Sequence, residues 1–268
     1  MCSCCIVNLS LVLPPAKFLM LLNNEIAVQC LDVTYRLNRR PLVEKLNFKV
    51  LQGEILVLLG RSGSGKTTTM KLINNLLTPT SGEVIVLGKP TTNWNSIQLR
   101  RRIGYVIQEI GLFPHFTVEQ NVGLVPKLEA WERDRISVRV HQLLELVGLD
   151  PQQFAKRYPH QLSGGQRQRI GVARALAADP PVLLMDEPFG ALDPITRLEL
   201  QREFRQLQQQ LGKTVIFVTH DIQEAFFLAS RIGLMQDGRL VELDRPAEFL
   251  KSKQPEARAF IECLQMSH

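Results

Sequence analysis

The 268-residue chain predicts an α/β fold organised on a parallel sheet. Three observations carry that expectation. Residues 55–59, 182–185 and 215–219 are short aliphatic or β-branched runs of the kind used by strands buried on both faces. The last two are joined by a segment whose helix starts near Pro194. From about Gln108 to Asp179 the apolar spacing is helical, so a helical insert separates two halves of an α/β core.

Residues 1–24 show neither helical nor strand periodicity, and the regular pattern begins at Glu25. Residues 26–35, 46–50, 55–59 and 84–87 are β-rich, bounded by Gly, Asn or Pro, and read as strands. A helix is expected over residues 66–75. Within the insert, Val138, Val140, Leu143, Leu144 and Val147 give the helical spacing. Asp237-Gly238, between residues 232–235 and 239–243, is a hairpin turn signal. No internal repeat or low-complexity segment interrupts the chain.

Composition narrows the function classes. With 45% hydrophobic and 22% charged residues the chain is neither disordered nor fibrous. Its longest apolar runs (18–22, 55–59 and 225–229) have five residues each, against about 20 for a membrane-spanning helix. The net charge of +6 suits an anionic ligand but is too small to argue for nucleic acid. Cys2, Cys4, Cys5, Cys30 and Cys263 lack metal-ligand spacing and fit a reducing cytosol. The N-terminus does not read as a targeting segment, because no Lys or Arg precedes Lys17 and Asn8 and Pro14-Pro15 interrupt its apolar stretch.

Three motifs carry chemistry. Gly60-Arg61-Ser62-Gly63-Ser64-Gly65-Lys66-Thr67 fits a phosphate-binding loop and lies after a predicted strand and before a predicted helix. Its glycines let successive N–H groups and the helix N-terminus face phosphates, Lys66 neutralises the β and γ phosphates, and the Thr67 hydroxyl ligates Mg²⁺. The run from Val182 to Met185 ends in Asp186-Glu187, which puts two carboxylates at the carboxyl edge of a parallel sheet. Asp186 is expected to hold Mg²⁺ and Glu187 to polarise an attacking water. In Leu162-Ser163-Gly164-Gly165-Gln166, Ser163 is a good N-cap and the two glycines open a second helix start to an anion.

These motifs, in this order, resemble the nucleotide-binding subunit of ATP-binding cassette (ABC) proteins from about Ile26 to Gln265. The resemblance implies a P-loop NTPase ABC ATPase fold: a RecA-like core, an antiparallel β subdomain and a helical subdomain over about 108–179, all within 25–268. It implies ATP and Mg²⁺ as ligands. Tyr35 is assigned to stacking on adenine, Thr68 to the nucleotide, Gln108 to sensing Mg²⁺ and the attacking water, and His220 to the γ-phosphate. Asp193, in Ala191-Leu192-Asp193, is assigned to communication between subunits. Residue by residue, ordinary alternatives stand: strand packing for Tyr35, an exposed loop for Gln108 and a helix cap for His220. In the family the Ser163-type helix start meets the γ-phosphate held by another subunit's loop, so a second copy or close paralogue is implied.

Within that family, the stretches Arg101 to Val118, Tyr158-Pro159-His160-Gln161 and Asp186 to Arg197 resemble the ATPases of bacterial importers for osmoprotectants, namely glycine betaine, choline, carnitine and related quaternary amines. That likeness implies a peripheral subunit at the cytoplasmic face of the membrane, integral permease subunits as partners, and an external solute-binding protein reached indirectly. Many such ATPases carry paired CBS domains after the cassette; the chain ends at His268, so regulation through that domain is not expected. Importers of other solutes, amino acids included, share these stretches. A cytosolic ABC ATPase that clamps nucleic acid is the alternative from another class. It is disfavoured because no sustained heptad or second cassette appears, and no nucleic-acid partner is expected. Ile110, Leu112, Phe113 and Phe116 form an apolar cluster in which Pro114 breaks helical continuity. It reads either as a local core or as the groove that receives a permease helix.

Residues 1–19 are expected to lie outside the working fold, an over-extended reading of the start site, since Met20 directly precedes the first regular segment. The other reading is an arm that touches the membrane partner. Deleting residues 1–19 is expected to leave ATPase activity and subunit assembly intact; a truncated chain that no longer folds would remove this reading.

Overall fold

The computed structural model describes residues 25–109 and 111–266. Its strands are β1 (Ile26–Leu37), β2 (Arg40–Leu51), β3 (Ile55–Leu59), β4 (Ser81–Val86), β5 (Lys89–Pro90), β6 (Ile103–Val106), β7 (Val182–Asp186), β8 (Thr214–Thr219), β9 (Arg231–Gln236) and β10 (Arg239–Asp244). A four-stranded antiparallel sheet has the order β2-β1-β4-β5, and a six-stranded sheet the order β10-β9-β3-β8-β7-β6. In the larger sheet every neighbouring pair is parallel except β9 and β10. These two join through Asp237-Gly238, both at positive φ (48° and 80°), the backbone that a tight hairpin requires.

Burial explains why β3, β7 and β8 are apolar runs without alternation: every residue in them is buried. The period-2 pleat then divides their side chains between two cores. Ile55, Val57 and Leu59 face one core, and Leu56 and Leu58 face the other. The first core is closed by helices: Val140, Leu143 and Leu144 of Arg133–Leu146, Ile170, Ala173 and Leu176 of Gly164–Leu176, and Leu200, Phe204 and Leu207 of Pro194–Leu211. The second is closed by β1, β2 and β4 of the antiparallel sheet and by Met70, Leu72 and Ile73 of the helix Lys66–Ile73. Helices on one face and a second sheet on the other leave only the strand ends free for chemistry.

Several element boundaries differ from the sequence reading. β1 runs to Leu37 and β2 starts at Arg40, joined by Asn38 and Arg39 at positive φ (50° and 68°), a tight turn without the usual glycine. β4 covers Ser81–Val86 rather than 84–87, and the helix after the glycine-rich loop ends at Ile73. Val138 is exposed although Val140, Leu143, Leu144 and Val147 are buried. Two helical positions are separated by about 200°, so 138 and 140 cannot share one face. Strand β6 and the helices Ser96–Arg101 and Pro255–Met266 form where the sequence reading places no element. The expectation for residues 1–24 and for Ile110 lies outside the described residues.

The first core has an aromatic centre, in which the fully buried Phe217 of β8 packs at 5.8 Å from Phe189 and 6.4 Å from Phe204 between ring centroids. Phe217→Ala is expected to cost about 3–5 kcal/mol of unfolding free energy in a urea titration, through lost burial and the cavity left behind. A loss well under 1 kcal/mol would show that the helical side of the sheet collapses onto the vacated space.

Candidate active site

At the carboxyl edge of β3 the chain turns through Gly60 to Gly65 into the helix Lys66–Ile73. Two glycines here answer to specific geometry. Gly65 sits at φ 101°, where a Cβ would lie 2.8 Å from the Leu42 carbonyl oxygen, and Gly60 approaches the Met235 carbonyl so closely that a Cβ would come within 2.3 Å. The loop therefore packs backbone to backbone against β2 and β9. Lys66 folds back over it, donating from Nζ to the carbonyl oxygens of Gly60 (2.6 Å) and Arg61 (2.9 Å). Burial holds the Lys66 ammonium pKa below its ordinary range, with Glu187 and Asp186 pulling it back up.

β7 ends one strand away from β3, with β8 between them. Its last residue, Asp186, is buried and accepts a hydrogen bond from Thr67 Oγ1 at 3.1 Å. Burial raises the Asp186 pKa, and the Thr67 bond works against that rise. Glu187, the next residue, lies at φ +45° in the left-handed region, which costs a non-glycine residue about 1–2 kcal/mol. The strained turn is held by Glu187 N donating to Val218 O (3.0 Å) and Gly190 N donating to Glu187 O (3.2 Å). Gln108 Nε2 donates to Glu187 Oε2 at 3.4 Å, and His220 Nδ1 lies 3.1 Å from the same oxygen. Three chain segments thus converge on one carboxylate.

These groups share a cleft of ≈ 660 Å³ that includes residues 61–68, Gln108, Glu187 and His220, together with Leu42 and Phe260. The cleft accordingly contains Arg61, Ser62, Gly63, Ser64, Gly65, Lys66, Thr67 and Thr68, as the loop motif predicts. Gly60 and Asp186 are buried and do not line it. Tyr35 is placed differently: it sits on β1 opposite Val43, half-buried against the second core, and is not among the residues that line the cleft.

The second glycine motif stays apart from the first. Ser163 caps the helix Gly164–Leu176 in a reciprocal box, with Ser163 Oγ accepting from Gln166 N (3.2 Å) and Gln166 Oε1 accepting from Ser163 N (3.0 Å). Leu162 is buried as the anchor of this helix start. Gly165 lets the helix Pro194–Leu211 approach, since a Cβ there would come within 2.9 Å of Thr196 Cγ2, and Gly164 faces Leu192. None of Leu162, Ser163, Gly164, Gly165 and Gln166 lines the cleft. Asp193 caps the helix Pro194–Leu211 by accepting from Thr196 N at 3.0 Å, a bond that holds its carboxyl below the usual range. Beside it Ile195 is 73% exposed, an apolar side chain that finds no cover within this chain among the described residues.

Comparison with known proteins fits this arrangement. The sequence pattern of the ABC transporter family matches residues 43–190, more than half of the chain. The chain belongs to the ABC transporter family. Among relatives, the choline transport ATP-binding protein OpuBA of Bacillus subtilis (strain 168) is 51% identical over 219 residues, 82% of this chain and 57% of the relative. The osmoprotectant import ATP-binding protein OsmV of Salmonella typhimurium is 52% identical over 208 residues, 78% of this chain and 54% of the relative. The chain thus spans little more than half the length of these relatives. Among solved structures, the dimeric post-hydrolysis state of the ATP-binding cassette MJ0796 bound to ADP and Pi superposes with a TM-score of 0.73 at 35% identity, covering 82% of this chain and 98% of that one.

Three residues near the ABC site escape the sequence reading. Tyr105 of β6 has its hydroxyl pKa pushed up to about 12 by burial, with Asp186 adding to the shift. Leu42 and Phe260 line the cleft from β2 and from the helix Pro255–Met266. No local motif marks them, because each is apolar or aromatic and reaches the site only through sheet order and helix docking.

Proposed function

We propose that this chain is the ATP-hydrolysing motor subunit of an ABC importer for a small quaternary-amine osmoprotectant. One observation carries the enzymatic part: the phosphate loop, Glu187, Gln108 and His220 share one cleft while Leu162–Gln166 lies outside it. The resemblance to the dimeric cassette, and the uncovered Ile195 beside Asp193, support a head-to-tail pair in which each chain lends its Ser163 helix start to the other's cleft. Asp193 lies where contact between the two copies would be felt.

In this reading residues 60–68 cradle the triphosphate through backbone N–H groups, and Lys66 exchanges its loop carbonyls for phosphate oxygens. The donor set around Thr67 fits Mg²⁺, a hard cation that takes oxygen ligands: a hydroxyl and a carboxylate already lie 3.1 Å apart, and Gln108, whose amide also carries an oxygen, lines the same cleft. Bound Mg²⁺ would supply charge neutralisation at the phosphate oxygens. Glu187 orients the attacking water and accepts its proton as the oxygen bonds to the γ-phosphorus and the bond to the β-phosphate oxygen breaks. His220 and Gln108 hold the Glu187 carboxylate between them and stand where the γ-phosphate is sensed. Tyr35 is proposed to stack on adenine, which requires its ring to turn from its packed position toward the cleft. Glu187→Gln keeps the shape but cannot take the proton. The variant is expected to bind ATP at near wild-type affinity, to hydrolyse it at least about 100-fold more slowly, and to accumulate as an ATP-bound dimer on size exclusion. Hydrolysis near the wild-type rate would remove Glu187 from this role.

Support for the importer comes from relatives named for choline and osmoprotectant import. The partners would be integral permease subunits, served by an external solute-binding protein, with this chain at the cytoplasmic face; no helix among the described residues is long and apolar enough to cross a membrane. The loop after Gln108 is the proposed docking surface. Asn121, fully buried, accepts from Phe113 N (2.8 Å) and donates to the carbonyls of Phe113, Phe116 and Thr117 at 3.0–3.2 Å, so it fixes the loop from inside. Leu112 packs into the first core, and Phe116 is half-buried. Phe113 is 41% exposed, its ring tilted by 40° against that of Phe116 at 5.2 Å between centroids. Phe113→Asp is therefore expected to preserve basal hydrolysis and to abolish co-purification with the permease and uptake of labelled choline or glycine betaine. Lost basal hydrolysis with assembly intact would place the docking surface elsewhere.

A further inference from the structure

The helix Pro255–Met266 is linked to the phosphate loop by two routes, one direct and one through the β9–β10 hairpin. Arg61, the second residue of the loop, is held along one edge of its guanidinium: Nε donates to Glu256 Oε1 at 2.6 Å and Nη2 to Glu256 Oε2 at 3.4 Å. The peptide of Arg61 carries the carbonyl oxygen that Lys66 Nζ grips at 2.9 Å. Glu256 is thus one residue removed from the loop lysine. The second route starts at Gln254, whose Oε1 accepts from Ala257 N (2.8 Å) at the helix start while its Nε2 donates to Gln236 Oε1 (3.2 Å) at the end of β9. In the hairpin that follows β9, Gly238 N donates to Ser64 O at 3.1 Å, on the far side of the loop.

The helix has a rigid seat from which to act. Ala257, Phe260, Ile261 and Leu264 recur at i, i+3, i+4 and i+7 and pack onto the first core, with Ala257 wholly buried and Ile261 5% exposed. The same helix packs against Ile222–Leu228, which begins two residues after His220. Phe260 extends from the core into the wall of the cleft. Charge attraction alone does not account for the Arg61–Glu256 pair, because the Arg61 side chain is 71% exposed and screened by solvent. Its bidentate geometry instead fixes where the guanidinium, and with it the Arg61 peptide, can lie.

We propose that the helix Pro255–Met266 is a clamp on the phosphate loop, and that Glu256 is the positioning residue through which it sets nucleotide affinity. The inference rests on the placement of ATP at residues 60–68. It makes a displacement of this helix, by whatever chain or partner pulls on it, a change in nucleotide binding at a distance from Glu187.

The sign of the effect separates positioning from charge. Removing a carboxylate near a phosphate site should by electrostatics alone tighten anion binding. If Glu256 positions the loop, Glu256→Gln loosens it. Titration of the full chain with a fluorescent ATP analogue and Mg²⁺ is expected to give a Kd about two- to fivefold above wild type for Glu256→Gln, with kcat at saturating ATP changed less than twofold. Arg61→Met should show the same loss, and the double variant no more than the Arg61 variant alone. An unchanged or tightened Kd for Glu256→Gln, or losses that simply add, would overturn the clamp. Should Glu256→Gln melt well below wild type, wild-type affinity in Arg61→Met still ends the proposal; because Arg61 also lines the cleft, a loss in it supports the clamp only if adding Glu256→Gln, measured below its melting temperature, deepens it no further. Lys66→Ala is the control: if it binds the analogue normally, the placement of ATP at this loop has failed; if it alone loses binding, the clamp has.

Discussion

β3, β7 and β8 are buried at every residue, and the six-stranded sheet they centre has no face open to water along these strands. A core of helices lies on one side and an antiparallel sheet on the other. Polar chemistry is therefore excluded from the length of the strands and confined to where they end. Strand order does the rest. Because β8 lies between β3 and β7, the Gly60 loop and Asp186 emerge one strand apart, close enough for Thr67 to bond Asp186. His220 leaves the intervening strand beside Glu187, and Gln108 follows the edge strand β6. One constraint of burial thus assembles a site from four separate strand ends.

The site is also built to wait. Glu187 occupies a strained backbone region and accepts contacts from Gln108 and His220 through the same oxygen, so its carboxylate is oriented by two segments at once. Lys66 is parked on loop carbonyls, its ammonium pKa lowered by burial. The Ser163 helix start, capped and close-packed against Thr196, lies outside the cleft. In the proposed reading a single chain carries both halves of the phosphate site without bringing them together, so hydrolysis would follow association. Asp193 and the exposed Ile195 lie at the start of the helix Pro194–Leu211, whose Thr196 packs against Gly165 of the Ser163 helix start.

The helix Pro255–Met266 adds a dependence that the motif view omits. A phosphate loop is commonly treated as self-supporting, yet here its second residue is held by a carboxylate 195 positions away, and its fifth, the glycine-flanked Ser64, bonds the β9–β10 hairpin. Loop geometry is then a property of the seated helix as well as of the glycines. Phe260 makes the same element a wall of the cleft, which joins core packing on one side to ligand space on the other.

Much of the site was legible because its geometry is set by short chain spacing. A glycine loop between strand and helix, a carboxylate pair after an apolar strand, and Ser163 as an N-cap each fix their own local structure, and each forms as read. The Asp237-Gly238 turn belongs with them, since positive φ is a property of those two residues. Other features depend on contacts that no window of sequence contains. Val138 and Val140 look alike in composition but fall on opposite helix faces, and only docking decides which is covered. Tyr35 carries the same ring whether it packs on the second core or turns to a ligand. Glu256 and Arg61 meet because β9, β3 and the last helix stack in one order, and a long-range ion pair leaves no periodic trace. Local conformational preference writes motifs into the chain, whereas burial of apolar faces chooses which distant motifs become neighbours.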